Sequence, residues 1–317
     1  MKTQTNPRKA AIIGCGFVGS STAFALMQSR LFSEMVLLDV DFDKADGEAM
    51  DIAHGIPFAG QMKIYAGNYE DIADAAIIIV TAGANQKPDE TRLDLVNKNV
   101  AVYKSIIPRI TEQGFEGILL VVSNPVDILT YVAVKLGGFP EKRVIGSGTV
   151  LDTARLKYAL SEHLGVDSRN LHSFIIGEHG DSEIAAWSST NVSGIPLDDF
   201  CEMRGHFNHT QAMREIAEDV KNSAYEIIEK KDATYYGIAM SIRRICESIV
   251  RDEKSILPVS AMIHGNYGID GIALSMPAIV GASGVETHVP ISLSDSETEA
   301  LKRSAATIQE IVSQLDL

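Results

Sequence analysis

Short, continuously apolar runs alternate with helical stretches through the first half of the chain. Residues 10–13, 35–39, 77–81, 118–123 and 143–145 read as strands. Several are apolar at every position rather than at every second one, the pattern of strands covered on both faces. Helical periodicity lies between them, for example over 18–28 and 91–112. Strand, helix, strand repetition implies right-handed crossovers and hence an α/β fold, a doubly wound sheet of parallel strands.

Past Gly148 the rhythm changes. Residues 151–164 predict a helix, 173–176 a strand, 196–209 a polar loop and 211–231 a long helix. Strand-like pieces follow at 255–263 and 276–280. The last helix opens on a capping box, Ser294 with Glu297 three residues on, and carries one apolar stripe of Leu301, Ile308, Val312 and Leu315. The expected division is a nucleotide-binding type domain over 1–148 and a C-terminal α+β domain over 149–317. No internal repeat or low-complexity tract interrupts it.

Composition narrows the function classes. A chain of 317 residues suits roughly two domains. With 45% hydrophobic and 22% charged residues it can bury a core of useful size. Lys and Arg total 28 against 42 Asp and Glu, a formal charge of −14. That balance argues against nucleic acid or an anionic membrane as partner, since phosphate binding needs local cation excess. It leaves open a small anionic substrate held by a few arginines. Cys15, Cys201 and Cys246 show neither metal-ligand spacing nor a disulfide framework. Residues 1–10 are polar and lack the apolar stretch of a signal peptide, and the longest apolar run, 75–84, is about half a membrane helix. A cytoplasmic protein with reduced thiols is expected.

Candidate chemistry begins at Gly14-Cys15-Gly16-Phe17-Val18-Gly19, a G-x-G-x-x-G run that follows a predicted strand and opens a helix. Gly14 suits a tight turn, Gly16 a close approach of backbone to pyrophosphate, and Gly19 close packing of helix on strand. The free N–H groups of the helix N-terminus favour phosphate. Asp39 stands 20 residues past Gly19, at the end of the second strand, placed to accept from ribose hydroxyls. With Asp41 nearby and no adjacent Arg, the pattern points to NAD rather than NADP in a Rossmann-type unit. A glycine turn in an unrelated α/β protein, or an FAD or S-adenosylmethionine site, is the competing reading of the motif alone.

Asp152 and Arg155 lie three apart on a predicted helix and so share a face. By themselves they read first as a surface ion pair. His179, in Gly177-Glu178-His179-Gly180-Asp181, lies just beyond a predicted strand between two glycines and two acids. His206 and His209 sit in the polar loop without partner ligands at metal spacing, and no metal is expected.

These motifs, in this order, resemble the lactate/malate dehydrogenase family over essentially the whole chain. The matching pieces are the glycine loop, the segment 82–92, Ser123-Asn124-Pro125, 151–155 and 177–181. The resemblance implies NAD as cofactor, with Gly14, Gly16, Val18, Gly19, Asp39, Gly83 and Asn124 at its site. It implies His179 as acid/base, its unperturbed pKa of about 6.5 serving both directions near neutrality. Asp152 would fix the His179 tautomer, Arg155 would clamp a substrate carboxylate, and Arg92 would polarise the reacting carbonyl. Asn124 would hold the substrate or nicotinamide side, and a cis bond before Pro125 is implied. Segment 83–90 would act as a lid over the substrate.

Within that family, malate-specific members carry Arg where this chain has Gln86, six residues before Arg92. A neutral Gln86 leaves a second substrate carboxylate unpaired in a closing pocket. Thr234 matches a position lining the methyl end of the substrate. Pyruvate and L-lactate are therefore expected, with malate or another 2-hydroxy acid as the alternative, since the adjacent Lys87 could supply a cation after a one-residue shift. Bacterial relatives activated by fructose 1,6-bisphosphate carry a basic residue and a histidine at Lys157 and His172. The family has Arg at the first of these, so an activator site and two plain surface residues remain equal readings. A homotetramer is the family expectation. A non-catalytic dinucleotide-sensing protein is the alternative from another class.

Overall fold

The computed structural model describes residues 4–84 and 91–317, and the side chain of Arg92 lies outside it. The first half runs β1 (Asn6–Ile13), α1 (Phe17–Ser29), β2 (Glu34–Leu38), α2 (Phe42–His54), α3 (Ile56–Ala59), β3 (Lys63–Ala66), β4 (Ala75–Val80), α4 (Arg92–Glu112), β5 (Ile118–Val121), α5 (Val126–Gly137) and β6 (Val144–Gly146). The second continues with α6 (Val150–Leu164), the short strands β7 (Leu171–His172), β8 (Ile175–Ile176), β9 (Ile184–Ala185), β10 (Asn191–Val192) and β11 (Ile195–Pro196), and α7 (Leu197–Met203). It closes with α8 (His209–Lys231), α9 (Tyr236–Val250), β12 (Ser255–His264), β13 (Asp270–Gly281), β14 (Gly284–His288) and α10 (Asp295–Ser313).

The six strands of the first half pair in parallel in the order β3-β2-β1-β4-β5-β6. Their unbroken apolar runs have the expected cause. Ala11, Ile13, Ile78 and Val80 enter one core, while Ala10, Ile12, Ile77 and Ile79 enter another across the sheet. Each Ile or Val among them contributes about 1.5–3 kcal/mol on burial, so both alternations stay apolar. The chain steps outward from β1 to β3, then returns across the sheet to β4. The strand order reverses there, which opens a crevice at the carboxyl ends of β1 and β4.

The doubly wound α/β class expected from sequence is present, with three differences. Segment Lys63–Ala66 is a strand, half-buried and too polar to announce itself, so the run at 77–81 is the fourth strand rather than the third. The expected loop over 196–209 contains α7, which buries Leu197 and Cys201 one turn apart and exposes its acids. Of the C-terminal strands, β7, β10 and β11 form a small three-stranded sheet and β8 and β9 a two-stranded one, but the last three make no sheet of their own. β12 joins β6 at Ser260 opposite Gly146, and β12, β13 and β14 extend the same sheet antiparallel to nine strands. The capping box of α10 forms as expected: Ser294 accepts the Glu297 N–H at 3.2 Å, and Glu297 accepts the Ser294 N–H at 2.7 Å. No helix among the described residues is long and apolar enough to cross a membrane.

Candidate active site

Loops at the carboxyl ends of the parallel strands converge on the crevice. After β1, Gly14 takes φ +103°, and a Cβ on it would stand 2.5 Å from the Ala82 nitrogen. A Cβ on Gly19 would stand 1.9 Å from the Gly14 oxygen, so α1 can pack this closely only with glycine there. Gly16, at the N-cap of α1, has no protein atom within 4 Å of where its Cβ would lie. The first turn of α1 therefore faces open space with its N–H groups outward, which suits a pyrophosphate. Val18 is half-buried behind it. At the end of β2, Asp39 accepts the Cys15 N–H at 2.6 Å and the Asp41 N–H at 3.1 Å. Those bonds fix its carboxylate beside the glycine loop. The residues present fit a dinucleotide with free ribose hydroxyls.

Across the crevice, Gly83 follows β4 and Asn124 follows β5, with a cis peptide to Pro125 as expected. Asn99, which sequence reading missed, ties the two loops together. Its Nδ2 donates to the Asn124 oxygen at 2.7 Å and to the Ala84 oxygen at 3.3 Å, and its Oδ1 accepts the Ala84 N–H at 2.7 Å. The signal was present: an asparagine on the same inward face of α4 as Val96, Val100 and Tyr103. A buried amide there must satisfy several hydrogen bonds, and loop backbone supplies them.

His179 lies past β8, whose end is held to β13 by a reciprocal backbone pair between Gly177 and Ser275. Its ring Nδ1 lies 2.6 Å from Asp152 Oδ2, and Arg155 donates to Asp152 Oδ1 at 2.9 Å. The three residues picked from sequence thus meet, and Asp152 keeps only 2% of its surface exposed. Burial acts against the imidazolium, but the Asp152 carboxylate outweighs it and leaves His179 raised to about 9. Burial likewise acts to raise Asp152, and the cations of His179 and Arg155 outweigh it, holding Asp152 below the usual carboxylate range. About a quarter of the His179 side chain stays exposed. With Nδ1 on Asp152, Nε2 is the ring nitrogen left for a substrate.

Two further acids were missed. Asp127, fully enclosed, accepts the His179 backbone N–H at 2.8 Å and the Ser275 hydroxyl at 2.9 Å, and burial pushes its carboxyl up. It fixes the backbone that carries the imidazole. Glu183 comes close to the His179–Asp152 pair. Asp127 stands three residues after Asn124, but only the fold shows what it holds.

Thr234 is half-buried in the turn between α8 and α9, next to Tyr235, whose ring stacks on Phe17 of the glycine loop at 5.3 Å. Lys157 is half-buried on α6 with its ammonium pushed down by burial, and His172 is exposed on β7, which packs on α6. Arg92 opens α4. Gln86 and the Arg92 side chain lie outside the described residues.

Comparison with known proteins covers essentially the whole chain. Residues 8–146 match the family model of the lactate/malate dehydrogenase NAD binding domain, and residues 149–316 that of the alpha/beta C-terminal domain. An L-lactate dehydrogenase of Acetivibrio thermocellus is 53% identical over 310 residues, 98% of either chain. One from Clostridium perfringens is 50% identical over all of this chain and 99% of the relative. The solved minor L-lactate dehydrogenase of Enterococcus mundtii, in a ligands-bound form, superposes over the full length of both chains with a TM-score of 0.94 at 41% identity.

Proposed function

The chain belongs to the lactate/malate dehydrogenase family, and from that premise we propose that it is an NAD-dependent L-lactate dehydrogenase interconverting pyruvate and L-lactate. The observation that carries the reading is the relay Arg155–Asp152–His179, in which Asp152 takes Nδ1 of the imidazole and leaves Nε2 for a substrate.

NADH, when bound, supplies a hydride to the keto carbon of pyruvate. His179 gives its Nε2 proton to the keto oxygen, and takes it back when lactate is oxidised. Asp152 holds the ring in the tautomer and orientation that point this proton outward, and stabilises the imidazolium. Arg155 grips the substrate carboxylate through the planar guanidinium edge not used by Asp152. Arg92 opposes the charge that grows on the keto oxygen. Gly14, Gly16, Val18 and Gly19 would cradle the pyrophosphate, Asp39 would accept from the adenosine ribose, and Gly83 and Asn124 would bound the nicotinamide side. Gln86 and Thr234 keep the far end of the substrate neutral, which favours a methyl group over a second carboxylate. Residues 1–148 serve as the NAD-binding domain and 149–317 as the substrate domain.

We place the enzyme in the cytoplasm as a homotetramer activated by fructose 1,6-bisphosphate at Lys157 and His172. The support for the activator is Lys157 itself, a cation depressed by burial that an incoming phosphate would stabilise. Rates with 2-oxo acids test the whole. NADH oxidation with pyruvate should far exceed that with oxaloacetate, and fructose 1,6-bisphosphate should lower the KM for pyruvate. Preference for oxaloacetate would overturn the substrate assignment, and an unchanged KM the activator.

A further inference from the structure

Four residues past His179 the chain turns back on itself. The Glu183 N–H donates to the Gly180 oxygen at 3.1 Å, closing a turn that folds Glu183 towards the imidazole. One oxygen or nitrogen from each of Glu183, Asp152 and His179 lies within 4.8 Å of the others. Such a trio has the donors of a cation site, yet both Asp152 oxygens are already engaged, one by His179 and one by the Arg155 guanidinium. The cluster therefore reads as a set of groups that share protons rather than a metal.

Building on the dehydrogenase reading, we propose that Glu183 is a positioning residue acting through His179 and Arg155: as the neutral acid it admits a monoanionic 2-oxo acid, and as the carboxylate it opposes one. The surrounding groups explain why. Asp152 and Arg155 face it from α6 and Lys221 from α8, while Asp127 of α5 lies behind the His179 backbone. A second carboxylate this close to Asp152 is repelled by it and only half-solvated. Burial and the Asp152 charge accordingly raise Glu183 to about 8, against the opposing pull of His179, Arg155 and Lys221. Near neutrality the trio holds a proton on Glu183 and one on His179. Loss of the Glu183 proton adds negative charge beside the very guanidinium that must receive the substrate carboxylate.

The sign of the consequence is fixed. The competent form carries both protons, and it is lost on raising pH through either ionisation. Removing one of those two routes can only move the alkaline limb upward. In Glu183→Gln, then, the alkaline limb of kcat/KM for pyruvate at saturating NADH should rise from near 8 by less than about one pH unit, because the Glu183 charge is itself part of what raises His179 to about 9. The change should sit more in KM than in kcat. Glu183→Asp should return the limb towards its original place, and Glu183→Ser is a second neutral variant should the amide not fold. A limb that stays put or moves down in a folded neutral variant overturns the proposal. Downward movement would mean that the carboxylate form supports the imidazolium during turnover. A wild-type enzyme inert towards pyruvate overturns the dehydrogenase reading and this inference with it, whereas an active wild type with an unmoved variant overturns the inference alone.

Discussion

Replacing Asp152 by Asn isolates the electrostatic half of the relay. The amide keeps the shape of the carboxylate but removes a charge 2.6 Å from the imidazole Nδ1 and 2.9 Å from Arg155. With charge centres about 4 Å apart and an effective dielectric near 20, the lost attraction is about 4 kcal/mol, or roughly three pH units on His179. His179, raised to about 9 in the wild type, should fall to about 6. At pH 7.5 the proton-donating form then drops from nearly all of the enzyme to roughly 3%. Looser ring orientation and a freed Arg155 add to this, so kcat/KM for pyruvate should fall on the order of 10²–10³-fold. The assay is initial-rate NADH oxidation from pH 5 to 10. The alkaline limb should move down, the opposite of the Glu183→Gln shift. A stability readout accompanies it. A histidine raised above its unfolded value contributes stability that is full below pH 6.5 and lost as pH rises to about 9. Wild-type urea midpoints should thus decline across that window more steeply than those of the variant. An alkaline limb within about half a pH unit of wild type would refute the reasoning, because the Asp152 charge would then not be what holds the proton.

Gln86→Arg should raise kcat/KM for oxaloacetate by roughly 10²–10³-fold and lower it for pyruvate, the weight of a desolvated ion pair made or left unpaired; paired assays on the two acids check it. Asn99→Ala strips the Ala84 and Asn124 backbone of three hydrogen bonds. It should lower stability by roughly 2–4 kcal/mol in urea titrations and raise KM for pyruvate more than it lowers kcat. Gly19→Ala would set a Cβ 1.9 Å from the Gly14 oxygen, so α1 must back away from β1; NADH affinity, read by fluorescence titration, should fall at least about ten-fold.

Much of this enzyme was legible in its residue order. Runs apolar at every position announced strands covered on both faces, and the glycine loop with Asp39 announced the dinucleotide crevice, because both depend on neighbours a few residues away. Asp152 with Arg155, and His179, stood out as chemistry without an address. The family resemblance implied their pairing, but the contact across 27 residues that makes them a relay is physically made only when α6 and the end of β8 pack together. The same holds for the buried Asp127 under the His179 backbone, for Asn99 bridging two strand-end loops, and for Glu183 turned back on the imidazole. Hydrophobic period and turn chemistry are local and survive in one dimension. The protonation of a carboxyl or an imidazole depends on which charges and how much solvent the folded chain sets around it, and that is decided only when the sheet and its helices close.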